Sequence, residues 1–184
     1  KMYELTSNKK YKEFAEYIIS KGFTKSQNII DFLEKKENYP YQCNVTKAYE
    51  MMSCFQGLYE YARITDNKRY LDIVTDFVDK VYKSDITIIG TAGCNSEFFD
   101  NSIKTQTNYN ENNMQETCVT VTWMNLCYQL LKLTGNSIYA DYIEKALFNA
   151  MYGSVNLLNQ KAKLAKVWNG TSCKFDEEKH EVFP

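Results

Sequence analysis

Leu133-Thr134-Gly135-Asn136-Ser137-Ile138-Tyr139 decides the fold, because its signature, (Leu or Ile)-Thr-x-Asn-x-x-Tyr, also stands at Leu5–Tyr11 and at Ile64–Tyr70. Copies roughly 60 to 70 residues apart mark a repeat of whole supersecondary units rather than of single turns. After each Tyr the apolar residues keep steps of three and four. Tyr70, Ile73, Val74, Phe77, Val78 and Val81 are matched by Tyr139, Tyr142, Ile143, Ala146, Leu147 and Ala150. The first copy follows with Tyr11, Phe14, Ala15, Ile18, Ile19 and Phe23. Such spacing lines one stripe of an α-helix, with Lys12, Glu16, Asp72, Asp76, Asp141 and Glu144 elsewhere on its surface.

Ahead of the second and third signatures another helix is predicted, over about 45–64 and 115–133. It is apolar around most of its circumference: Val119, Val121, Trp123, Met124, Leu126, Cys127 and Leu130 leave hardly a polar face. That pattern describes a helix surrounded by protein. An inner helix, a Thr-x-Asn turn and an outer amphipathic helix make one hairpin. The expected fold class is all-α, helical hairpins forming part of an α/α toroid, with an open solenoid as the related form. The expected units are about 1–23, 44–83 and 114–153, with a loop at 84–113 that has room for short strands and a polar connection at 155–184. The first copy lacks an inner helix, so the chain is expected to be a segment of a larger protein; the alternative is a complete three-hairpin bundle with a frayed start.

Composition narrows the function. Among 184 residues, 22 Lys and Arg stand against 23 Asp and Glu, which leaves no basic footprint for nucleic acid. No apolar run approaches the roughly 18 to 20 residues of a membrane span. Six cysteines without a C-x-x-C read as free or metal-binding thiols rather than a disulfide framework. Unpaired thiols suit a reducing interior, and the expected location is cytoplasmic. The 15 Tyr suit a wet boundary such as a carbohydrate cleft, and suit tyrosine-rich helix packing equally.

Residues 84–113 break the helical period. An apolar, β-branched run from Ile86 to Ile89 leads to Gly90-Thr91-Ala92-Gly93, then to Cys94-Asn95-Ser96-Glu97-Phe98-Phe99-Asp100 and a polar stretch. Connections this long in a compact helical protein are often functional. Glu116-Thr117-Cys118 follows directly, opening the second inner helix. Residues two apart on a helix point away from each other. Glu116 and Cys118 can therefore share one metal only where the backbone is extended or just entering the helix. Carboxylate plus thiolate is half of a zinc site; the alternative is a helix-start glutamate beside inert cysteine filling. Aligning the repeats sets Lys47 against Glu116 and Tyr49 against Cys118. Lys47, Tyr49 and Glu50 are thus candidates to line a common pocket at the inner helices' N-terminal ends; the alternative is a capped helix start, with Asn44 or Thr46 as the cap.

The run from Gly90 through Glu97, then Glu116-Thr117-Cys118, the inner helix, the Leu133-Thr134-Gly135-Asn136 turn and Glu144-Lys145-Ala146-Leu147-Phe148-Asn149-Ala150 resembles the β-L-arabinofuranosidase family of retaining glycoside hydrolases. The match is strongest over residues 86–152. The resemblance implies an α/α-toroid catalytic domain acting on an oligosaccharide or small glycoside, with zinc as cofactor. It further implies that a zinc-held cysteine thiolate attacks the anomeric carbon, while a glutamate protonates the departing oxygen and later activates water. Carried over by position, Glu97 matches the acid/base residue, and Glu116 and Cys118 match two zinc ligands. The remaining ligands of the family form an adjacent Cys-Cys pair, of which one is the nucleophile. This chain has no Cys-Cys, and Cys173 lies too close to the Glu-Thr-Cys motif. The nucleophile is expected beyond Pro184, and this segment alone is expected to be inactive. His180, in a charged run, reads as surface. Two other readings remain at this point: a non-catalytic helical-repeat module that binds carbohydrate or protein, and a metal-free toroid enzyme acting on uronate sugars.

Overall fold

A computed structural model of the chain describes residues 1–108 and 114–155. The helices in chain order are α1 (Met2–Thr6), α2 (Lys9–Ser20), α3 (Ile29–Glu34), α4 (Ala48–Thr65), α5 (Lys68–Asp85), a short α6 (Ser102–Thr105), α7 (Thr117–Thr134) and α8 (Ile138–Lys145). A π-helical turn, Ala146–Met151, extends α8, and two short strands, β1 (Asn95–Ser96) and β2 (Met114–Gln115), pair in parallel. The protein is mostly helical, as the periodicity requires. Among the described residues no helix is long and apolar enough to cross a membrane.

Each letter of the repeated signature does one local task. The threonine hydroxyl donates to the carbonyl four residues back in all three copies: Thr6 to Met2 at 2.7 Å, Thr65 to Tyr61 at 2.7 Å and Thr134 to Leu130 at 2.8 Å. The next residue is left-handed in each case: Ser7, Asp66 and Gly135 have φ of 56°, 50° and 66°. That conformation ends the first helix by returning its N–H to a carbonyl of the last turn. The asparagine side chain then accepts an N–H of the following helix: Asn8 from Lys10, Asn67 from Tyr70 and Asn136 from Ile138. One three-residue signature thus stops one helix and starts the next.

The hairpins α4–α5 and α7–α8 stand side by side, with α4 and α7 joined directly. Gln56 donates to the Thr122 carbonyl at 3.1 Å, and the Tyr59 hydroxyl to the Gln129 carbonyl at 3.0 Å. Between α4 and α5, Phe55 and Phe77 stack with centroids 3.7 Å apart, both fully buried. Between α5 and α8, Tyr82 stacks on Tyr142 at 4.0 Å, and Trp123 of α7 stacks on the same Tyr142 at 5.8 Å. Ile73, Val74, Phe77, Val78 and Val81 are buried, which is the stripe read from the sequence of α5.

Two expectations need correction. The first outer helix, α2, buries Ile19, but Tyr11, Phe14 and Ile18 of its apolar stripe are exposed, Phe14 at 64%. The inner helix α7 is not enclosed all round either. Val121 at 36% and Tyr128 at 53% lie exposed along one stripe with Asn125 and Lys132. The segment before α4 also holds a helix that periodicity did not mark. In α3, Ile29, Ile30 and Leu33 are buried. Lys80 of α5, 3% exposed, donates to the carbonyls of Leu33 and of Lys35, the latter at 2.7 Å, and thereby closes the C-terminal end of α3. The proposed connection from 156 onward, with Cys173 and His180, lies outside the described residues.

Candidate active site

Glu97 follows β1 in the loop between α5 and α6. The β-branched run before it forms a tight turn, in which Thr87 and Thr91 share a hydroxyl bond at 2.6 Å and Ile86 bridges to Ala92. Gly93, with φ of 87°, then redirects the chain; a Cβ there would stand 2.9 Å from the Phe98 carbonyl oxygen, so only glycine fits. The loop lands on the beginning of α4. The Glu97 carbonyl accepts the Ala48 N–H at 2.7 Å, and the Phe99 N–H donates to the Thr46 carbonyl at 2.8 Å. The first of these bonds satisfies an N–H at a helix start that has no side-chain cap. The first residue outside α4 is Lys47, and neither Asn44 nor Thr46 caps it through its side chain.

The same contact joins two of the predicted residues. The Glu97 carboxylate, 18% exposed, is ion-paired with the Lys47 ammonium, and Lys47 lies 3.7 Å from Glu50. The hydrogen bond to Glu97 is the main cause that raises the Lys47 pKa. The ammonium also lies 5.7 Å from the centroid of the Phe98 ring. Tyr49 is exposed and makes no hydrogen bond to this group among the described residues.

Glu116 and Cys118 meet. Glu116 is the last extended residue before α7, with φ −72° and ψ 123°, and Thr117 is the first helical one. At that junction the two side chains converge, and the Cys118 thiol donates to Glu116 Oε1 at 2.8 Å. Burial, reinforced by the bond to Glu116, pushes the Cys118 thiol up to about 12. Glu116 Oε2 is buried without a hydrogen-bond partner. Among the described residues no group of three metal-binding side chains comes together. This pair therefore offers a sulfur and an unused carboxylate oxygen, two donors of the four that zinc takes.

The strand pair ties these two groups. Asn95 pairs with Met114 and Ser96 with Gln115. Glu97 and Glu116 are thus the residues that leave the ladder on its two strands, one toward α4 and the other into α7. A family profile described as the β-L-arabinofuranosidase, GH127 catalytic domain matches residues 1–163. The chain belongs to this GH127 family. Two solved structures share the fold: one described as a GH127 β-arabinofuranosidase, TM-score 0.59 and 21% identity, and one described as a glycoside hydrolase, TM-score 0.59 and 18% identity. They are matched over 83% and 84% of this chain, which spans 24% and 28% of theirs. No curated protein sequence matched the chain.

The GH127 chain also carries groups that the sequence reading passed over. Asp85, the last residue of α5, is completely buried and accepts hydrogen bonds from the backbone N–H of Asp100, Asn101 and Ser102. Asp100 in turn accepts from the hydroxyls of Ser102 and Thr105, and Cys94 lies 3.3 Å from the Thr105 hydroxyl. One signal could have marked Asp85: an acidic residue at a helix C-terminus opposes the macrodipole and needs a local reason to be there. In chemical terms this GH127 segment presents a partly exposed carboxylate with an ammonium beside it, and a half-buried thiol–carboxylate pair where the adjoining strand enters α7.

Proposed function

We propose that this chain is the part of a retaining GH127 glycoside hydrolase, built as an α/α toroid, that supplies the acid/base carboxylate and two of the zinc ligands. The observation that supports this reading is the β1–β2 pairing, which sets Glu97 and Glu116 directly after one rung, Ser96–Gln115, although they are nineteen positions apart in the chain. The substrate class is a β-L-arabinofuranoside or a related plant-type sugar. Glu97 donates its proton to the departing glycosidic oxygen and, as the resulting carboxylate, withdraws a proton from the water that completes hydrolysis. Lys47 keeps the carboxylate oriented toward the start of α4, and Lys47, Tyr49 and Glu50 offer polar contacts to sugar hydroxyls. Glu116 and Cys118 are the residues that hold zinc from this chain. Zinc, when bound, keeps its thiolate ligands ionised and fixed in direction. The nucleophilic thiolate belongs to a cysteine outside residues 1–184.

The test is hydrolysis of a β-L-arabinofuranoside by the full-length protein, with the anomeric configuration of the product followed by NMR. Retention is expected, and Glu97→Gln should lower kcat by about 10²- to 10⁴-fold with the circular dichroism spectrum unchanged. Full activity in that variant would remove Glu97 from the acid/base role.

A further inference from the structure

Asp85 takes no part in the chemistry above, yet its carboxylate is the hub of the loop that carries Glu97. Its Oδ1 accepts three consecutive backbone N–H groups, from Asp100 at 2.9 Å, Asn101 at 2.9 Å and Ser102 at 3.2 Å. Asn101, with φ of 62°, curls that stretch so that the three N–H groups point to one place, a backbone nest for an anion. The Ser84 hydroxyl donates to Oδ2, and the Asp85 carbonyl accepts the Gly93 N–H at 2.7 Å. One residue thus grips the segment at its entry, Gly93, and at its exit, Asp100–Ser102. Between these stems a further bond runs from the Cys94 N–H to the Ser102 hydroxyl at 2.9 Å. Glu97 sits midway between entry and exit, held besides by the β1–β2 ladder next to it and by the edge of α4, through Ala48, Thr46 and Lys47.

A fully buried carboxylate at the negative end of a helix is unfavourable by itself, and burial raises its pKa. Three N–H donors in a protein interior offset that cost, and removing the acceptor would leave all three unsatisfied at once. The bonds are directional, so they fix where the loop lies as well as that it is closed. We propose that Asp85 is a positioning residue for Glu97, fastening both stems of loop 93–102 so that the Glu97 carboxylate meets the start of α4. This role rests on the reading of Glu97 as the acid/base group.

The test uses the full-length protein with amide hydrogen exchange read residue by residue, alongside kcat and KM for a β-L-arabinofuranoside. In the unaltered protein the Asp100, Asn101 and Ser102 amides should exchange as slowly as amides inside α5, although two of the three lie outside any helix. In Asp85→Ala these amides should exchange about 10- to 100-fold faster, while α4 and α7 keep their protection. The same variant should lose about tenfold or more in kcat with KM changed by less than about threefold, because a displaced proton donor affects the reaction more than binding. Asp85→Asn keeps an acceptor oxygen for the same three N–H groups and should restore both readouts. Fast exchange of the three amides in the unaltered protein overturns the proposal even if Asp85→Ala does not fold. So does an Asp85→Ala protein with unchanged exchange or unchanged kcat, or an Asp85→Asn protein as impaired as Asp85→Ala. A fully active Glu97→Gln protein would instead remove the acid/base reading, whatever the exchange pattern shows.

Discussion

Gly90 rests against the backbone of Ala146 so closely that a Cβ at position 90 would stand 2.9 Å from both the N and the Cα of Ala146. This contact seats the turn before the Glu97 loop on the π-helical turn after α8, and so connects the two ends of the region that holds the site. Gly90 also has φ of 90°, which a side chain disfavours even without the collision. Gly90→Ala should therefore destabilise the protein by about 1–3 kcal/mol. Urea unfolding followed by circular dichroism would measure it. A midpoint equal to that of the parent would mean that the turn can lift away from Ala146 freely.

The Phe55–Phe77 stack holds α4 to α5, and both rings are fully buried. Phe77→Ala leaves a cavity that its packed neighbours cannot fill, and a loss of about 3–5 kcal/mol is expected. Phe77→Leu, which keeps most of the volume, should cost clearly less. The comparison of the two midpoints checks that the loss comes from volume and not from the change of residue as such.

Zinc can be assayed without any substrate. The full-length protein should keep about one zinc per chain through dialysis. Cys118→Ala and Glu116→Ala should each lose it, and neither should alter the helical circular dichroism signal. Equal zinc content in all three proteins would show that the Cys118–Glu116 pair is a hydrogen bond and nothing more.

Asp85 should also leave a mark on the pH dependence of stability. Burial raises its carboxyl above the ordinary value of about 3.9. The folded protein then holds the proton more tightly than the unfolded chain does. The stability this group contributes is fully present below the unfolded value and is lost as pH rises through the folded one. Asp85→Asn cannot titrate, so the stability of the parent relative to this variant should fall as pH rises from about 4 through the raised folded value, and level off above it. Urea midpoints for both proteins across that window would show it. A difference that grows with pH would mean that the three N–H donors outweigh burial.

The helix ends were legible because their cause is local. Thr134, Gly135 and Asn136 carry a hydroxyl bond, a left-handed turn and an N-terminal acceptor within three positions, and the two other copies repeat the same chemistry. The inward stripe of α5 was legible for a similar reason, since Ile73, Val74, Phe77, Val78 and Val81 obey one period. Periodicity tells which side of a helix is apolar but not whether a partner covers it, and so it does not disclose that Phe14 of α2 and Val121 of α7 are exposed. The six residues of α3 are too few to display a period. In the site, the meeting of Glu116 and Cys118 could be foreseen as a condition on the backbone, because both lie at one helix entrance. The ion pair of Glu97 with Lys47 could not, since it joins side chains fifty positions apart and depends on where a loop comes to rest. The nest around Asp85 is made of backbone N–H groups, which no side-chain pattern records.

The two-rung ladder of β1 and β2 works as a clasp. It sets the separation of Glu97 and Glu116 by pairing Ser96 with Gln115, whatever length of chain runs from one strand to the other. Loop-closure cost grows only slowly with length, so residues added between α6 and β2, clear of the Asp100–Ser102 contacts, would leave the spacing of the two acids as it is.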